Sequence, residues 1–269
     1  MCSSDLVFGA SPYLSGLARR WPAMLGELLA ADPDERFAGI MARTAAAGAL
    51  ESAEAGAELR RLKAETHLLT ALADLGGVWD LDAVTGALTH FADAALAAAL
   101  QAVAQAEVAA GRLQAVGTGP GGPVPGWFCL AMGKQGAFEL NYSSDIDISV
   151  FYDPDALPVA EGVEPRAFAV RLTQGLAALM QDRTGEGYVF RVDLRLRPDP
   201  SSTPPAVTVA AAFEYYETVG QNWERAAFIK ARPCAGDLPR ADAFLEELSP
   251  FIWRRSEEHT SELQSRAYL

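Results

Sequence analysis

Two aspartates stand one residue apart in the stretch ELNYSSDIDIS, as Asp145 and Asp147, with Ile146 between them and Ile148 after. In an extended strand, residues i and i+2 project to the same face. The spacing therefore predicts that both carboxylates point one way while Ile146, Ile148 and Val150 face a core. Two like charges held this close repel each other unless something positive lies between them. Magnesium suits that position, because it is a hard cation that takes one or two carboxylates plus substrate phosphates. An exposed polar face satisfies a lone D-x-D pair equally well.

A second segment bears on the choice. In RVDLRLRP, alternation sets Val192, Leu194 and Leu196 on one face and Arg191, Asp193, Arg195 and Arg197 on the other. Asp193 is thus a candidate third metal ligand. Arg195 and Arg197 are candidate phosphate holders, since a guanidinium binds phosphate oxygens in bidentate fashion. A salt-bridged exposed face is again the alternative. Upstream, MGKQGAF supplies Gly133 and Gly136, where glycine lets the backbone approach a phosphate, and Lys134, which adds a point charge. Glu139 and Asn141 either order this turn or reach the site. Trp223 and Glu224 are expected to dock the closing helix, and Lys230 and Arg232 to favour that helix's C-terminal dipole.

The elements that must position these residues follow from periodicity. Residues 12 to about 116 read as helices, opening on Ser11 and Pro12 as cap and first turn, with a later helix stopping at Gly76. Packing or partner contact is their expected role. TGPGGPVPG, residues 118–126, is a connector that no regular element tolerates. Beyond it the period changes. WFCLAMG and DIDISVFYD read as strands, residues 165–183 as a helix, YVFRVDLRLRP at 188–198 as a third strand, and the stretch from Ala211 to Pro233 as one or two helices. The expected fold is α+β: a helical region (7–117), the connector (118–126) and a small mixed sheet with helices as a catalytic core (127–254).

Composition narrows the function classes. The 269-residue chain is half hydrophobic, enough for a sizeable core. Its formal charge of −13 argues against a general nucleic-acid binder, though not against a local basic pocket. Asp93, Gln101, Gln105 and Glu107 interrupt the most apolar stretch, so no membrane span is expected, and no secretory signal is evident. Cys2, Cys129 and Cys234 are scattered, and His67, His90 and His259 dispersed, which suggests neither disulfides nor a zinc site. A cytoplasmic location is the default. Both ends look foreign: residues 2–6 (CSSDL) and 255–265 (RSEEHTSELQS) resemble one sequencing-library adapter translated in opposite orientations. Residues 1–6 and 255–269 are therefore expected to be non-native flanks of a fragment.

Strand, glycine turn, a gap of ten residues, D-x-D and a later acid together resemble the polymerase-β-like nucleotidyltransferase superfamily, which usually has Gly-Ser or Gly-Gly where this chain has Gly133-Lys134. A narrower match is more specific. MGKQGAFELNYSSDIDISVFYD, RVDLRLRPDPSSTPPAV and YYETVGQNWERAAFIKARPCAGD strongly resemble the bacterial glutamine synthetase adenylyltransferase/adenylyl-removing enzymes, and SPYLSGLARRWPAML resembles their start. Members are long chains with two nucleotidyltransferase domains, one removing AMP from a tyrosine of glutamine synthetase and one attaching it. ELNYSSDID, RVDLRLRP and GQNWERAAFIKAR are similar to the N-terminal, removing copy.

The resemblance implies phosphorolysis, in which inorganic phosphate attacks tyrosyl-AMP and releases ADP and tyrosine. It implies Mg2+ on Asp145, Asp147 and Asp193. Gly133, Lys134, Gly136, Ser144, Arg195 and Arg197 form the expected nucleotide- and phosphate-binding set. The implied partners are adenylylated glutamine synthetase, inorganic phosphate, ADP or ATP, and the PII signalling protein through the full-length chain. The rival readings are the ATP-dependent adenylyl-attaching copy and an inactive binding or regulatory fragment.

Overall fold

The computed structural model describes Gly9 and residues 11–253, so both adapter-like segments lie outside the described residues. Among the described residues, five helices precede the sheet: α1 (Pro12–Arg20), α2 (Pro22–Ala30), α3 (Pro33–Ala47), α4 (Ser52–Leu75) and α5 (Leu81–Ala109). Ser11, Asp32 and Asp80 cap α1, α3 and α5 by accepting backbone N–H groups of the first turn. The opening pattern resolves into two helices because Pro22 supplies no N–H and Trp21 leaves helical geometry before it.

Helix α5 spans 29 residues and is long and apolar enough to cross a membrane, which its scattered polar residues had argued against. Its apolar length is used for packing. Leu88, Phe91, Leu96, Ala99 and Leu100 are buried, and the helix packs on α3, α4 and the sheet side of the molecule.

Helix α4 runs through the helical layer, buried over most of its turns. Glu65 on it is 1% exposed and accepts from Arg36 and Arg43, each at 2.6 Å. Both arginines reach water, so their release on losing the acid is cushioned. Glu65→Gln is expected to lower stability by about 2 kcal/mol, below the usual cost of breaking a fully buried pair. Urea unfolding of the two chains measures it.

The second part holds the strands β1 (Trp127–Ala131), β2 (Ile146–Tyr152), β3 (Val192–Asp193), β4 (Ala206–Thr208) and β5 (Arg232–Gly236). β2 and β5 flank β1 antiparallel, while β3 and β4 both pair parallel with β2. One β2 edge is taken by β1, so β3 and β4 follow one another along the other. The helices here are the one-turn α6 (Gly133–Gly136), α7 (Pro165–Gln181), α8 (Val209–Thr218), α9 (Asn222–Phe228) and α10 (Leu238–Ile252).

Both faces of the sheet are covered. Cys129, Ala131, Ile146, Ile148 and Val150 join a core that continues into α4, α5 and α7, so the helical region and the sheet share buried residues across the 118–126 connector. Phe128, Phe151 and Phe244 head an aromatic core on the opposite face, with the Phe151 and Phe244 rings 4.6 Å apart.

Several expectations are corrected. The third strand is two residues long, not eleven: Val189 and Phe190 donate to the Met180 carbonyl, and beyond Asp193 the chain turns away. Helix α9 ends at Phe228, and Arg232 opens β5 instead of closing a helix. There it pairs with Asp93 at 2.7 Å and lies over the Phe138 ring. Cys129 and Cys234 are free and buried, and their sulfurs stand 3.5 Å apart on neighbouring strands.

Candidate active site

The edge of β2 carries the acids. Asp147 lies opposite Asp193 in the parallel register of β2 and β3, so their side chains leave the same face side by side. Asp145 sits one residue before β2. Burial, then Asp193 and Asp145 in turn, push the Asp147 carboxyl above its usual range, while Arg195 and Lys134 draw it back. The three acids thus form one electrostatic cluster.

Two of them have arginine partners. Asp145 pairs with Arg191, whose guanidinium also donates to the Tyr188 hydroxyl (2.9 Å) and the Ser143 carbonyl (2.8 Å). Arg195 grips Asp193 with its side chain and adds its backbone N–H at 2.8 Å, which holds that carboxyl below the usual range. The Arg195 side chain is 82% exposed. Arg197 points elsewhere. It donates to the carbonyls of Leu194, Pro200 and Thr203 and ties down the loop that ends β3.

The glycine turn meets this edge from β1. The Met132 N–H donates to the Asp147 carbonyl at 2.8 Å, and Gly133 follows with φ +53. A Cβ there would stand 2.7 Å from Asp147 Oδ2, so only glycine lets the turn close on the carboxylate. Lys134 is exposed beside it. Gly136 answers a different need: its Cβ position is 2.0 Å from the Lys230 carbonyl oxygen, so it is glycine to pack against the chain leading into β5.

Asn141 orders the turn before β2. Its carbonyl oxygen, Oδ1, accepts from the Ser143 N–H (3.2 Å) and the Ser144 hydroxyl (2.8 Å), and that places Ser144 in the turn next to Asp145. Glu139 pairs with Lys230 at the surface. Glu224 docks α9, accepting from Gln221 N–H and the Tyr215 hydroxyl, whereas Trp223 is half exposed and docks nothing comparable. Sequence reasoning counted Arg191 only as one of three arginines on a strand face and did not give it Asp145 as a partner. Its position two residues before Asp193, on the same alternating face, was the available signal.

Among the described residues, no three Asp, Glu, His or Cys side chains converge into a metal cage. Asp145 and Asp193 are instead turned onto arginines. The donor set still fits Mg2+: it is all oxygen, it concentrates negative charge around Asp147, and a cation that keeps waters and substrate phosphates needs no closed protein shell.

A mixed sheet with a glycine turn and three acids at one edge, behind a helical region, defines an α+β nucleotidyltransferase-like fold. The family model for glutamate-ammonia ligase adenylyltransferase matches residues 4–247, and the chain belongs to that family. It is 63% identical over 251 residues to a bifunctional glutamine synthetase adenylyltransferase/adenylyl-removing enzyme of Caulobacter vibrioides, covering 93% of this chain and 26% of the relative. A protein of the same name from Bradyrhizobium diazoefficiens is 53% identical over 249 residues, covering 91% of this chain and 25% of its own length. The chain therefore spans about a quarter of the length of the curated relatives it matches.

Proposed function

We propose that this chain carries a nucleotidyltransferase site that removes AMP from adenylylated glutamine synthetase by phosphorolysis, as part of a longer bifunctional enzyme. The observation that carries the reading is the register of Asp147 against Asp193, with Asp145 before β2 and Gly133 closed on Asp147. The words ELNYSSDID and RVDLRLRP favour the removing over the attaching reaction.

In this reading a phosphate oxygen attacks the adenylyl phosphorus, the bond from phosphorus to the tyrosine oxygen breaks, and the phosphate's proton passes to the leaving phenolate. ADP and free tyrosine result. Asp145, Asp147 and Asp193 would hold Mg2+, which would neutralise charge on the phosphoryl oxygens. Arg195 leaves Asp193 to take a phosphate oxygen, Lys134 supplies positive charge beside Asp147, and the Gly133 turn and Ser144 line the approach of the nucleotide. Gly136 and Arg197 serve by holding the turn and the loop in place. A cytoplasmic bacterial setting and PII signalling through the rest of the enzyme belong to the same proposal.

The test compares two incubations of the chain with Mg2+. Adenylylated glutamine synthetase with phosphate is expected to yield ADP, and unmodified glutamine synthetase with ATP to yield no adenylylated product. The opposite pair of results assigns the attaching reaction. Gly133→Ala is expected to slow ADP release roughly 100-fold by displacing the Asp147 carboxylate. Initial rates at saturating phosphate measure that.

A further inference from the structure

Behind the Asp145–Arg191 pair lies a cavity of about 410 Å3, walled by α1, α4, the turn at 142–143 and the segment 183–188. Lys63 on its lining is only 8% exposed, yet no carboxylate pairs with it among the described residues. Its ammonium has one long contact, 3.4 Å to the Tyr188 carbonyl, and lies 4.2 Å and 5.1 Å from the Tyr188 and Phe190 ring centres. Ring faces offset part of the cost of burying that charge. They leave its hydrogen-bonding capacity largely unused.

Further groups point to the same need. Arg60 and Arg183 also line the cavity, and neither forms an ion pair among the described residues. Arg60 Nε and the buried Tyr142 hydroxyl have no hydrogen-bond partner among the described residues. Among the described residues, Glu186, exposed, is the only acid on the lining. Burial, and then Arg191, lower the Lys63 pKa to about 8, so the ammonium is still mostly charged at pH 7. A chain with a large acidic excess thus gathers three cations around one recess and withholds acids from the buried one.

We propose that this cavity binds a phosphate-class oxyanion, with Lys63 as its buried anchor, Arg60 and Arg183 as outer cations and the Tyr142 hydroxyl as a neutral donor. Charge-assisted hydrogen bonds of this kind are the strong ones. The cavity communicates with the acids through Arg191, which touches Ser143 and Tyr188 on the lining while pairing with Asp145. The inference does not depend on the phosphorolytic reading, because it concerns binding alone.

Titration calorimetry of the 269-residue chain at pH 7, with inorganic phosphate and separately with ADP, tests it. At least one of the two is expected to bind saturably. Lys63→Met is expected to weaken that binding about tenfold or more, and Arg183→Gln severalfold. Tighter phosphate than ADP, lost in these variants, assigns the cavity to the free anion, and the reverse assigns it to a nucleotide phosphoryl group. Asp147→Asn is expected to keep the binding, which separates this site from the acid cluster. Should Lys63→Met fail to fold, Arg183→Gln at the exposed rim decides. Absence of saturable binding by either probe, or affinities untouched by the cavity substitutions in folded protein, overturns the proposal.

Discussion

Asp147→Asn is expected to lower phosphate-dependent ADP release from adenylylated glutamine synthetase on the order of 1,000-fold or more, with the fold intact. Three features set the size of that effect. Among the described residues Asp147 has no arginine of its own, unlike Asp145 and Asp193, so of the three it is the acid most available to a cation. Burial first, and then both neighbouring acids, raise its proton affinity, so negative potential is concentrated around this residue and a cation there relieves it. The amide is nearly isosteric and keeps the backbone contacts of β2, including the carbonyl that accepts from Met132. Thermal unfolding should therefore change little while turnover collapses. Comparable turnover in the variant removes Asp147 from the chemistry.

Acid sensitivity at His67 should give the largest effect on stability. The ring is 1% exposed, between the edges of Tyr13 and Tyr142. Its Nδ1 meets the Tyr13 hydroxyl at 3.1 Å, and Nε2 has no hydrogen-bond partner among the described residues. Burial first, and then the charge on Lys63, lower its pKa to about 3. The unfolded chain takes a proton near pH 6.5 that the folded chain refuses until about pH 3. Stability from this group is thus intact above pH 6.5 and falls as pH drops through that window, by about 2 kcal/mol at pH 5 and about 4 near pH 3. His67→Phe should remove that share of the slope. Urea unfolding of both chains at pH 7.5 and pH 5 measures the difference, and parallel slopes contradict the assignment.

Legibility in the sequence followed how local the signal was. β1 and β2 were readable from an apolar run and alternation, and α5 from its alanine-rich helix propensity. The Asp145-x-Asp147 pair was readable because strand geometry alone brings i and i+2 to one face. The parallel pairing of Asp147 with Asp193 joins residues far apart in the chain, so alternation could suggest a shared chemistry but no register. The eleven-residue third strand was overread, since Arg197 binds carbonyls of its own loop and bends the chain where the pattern continues. β4 is three residues after a proline pair, too short to show a period. Arg232 looked like a helix-end cation, and only tertiary packing gives it Asp93 and Phe138. Lys63 carries no local signal of its burial, which comes with tertiary contacts to the Tyr188 and Phe190 rings.

The most direct measurement follows labelled inorganic phosphate through a reaction with adenylylated glutamine synthetase, Mg2+ and the chain. Phosphorolysis at the acid cluster predicts label in the β-phosphate of ADP, formed one for one with freed tyrosine and absent with Asp147→Asn. Release of unlabelled AMP, or label in ADP undiminished by that substitution, contradicts it.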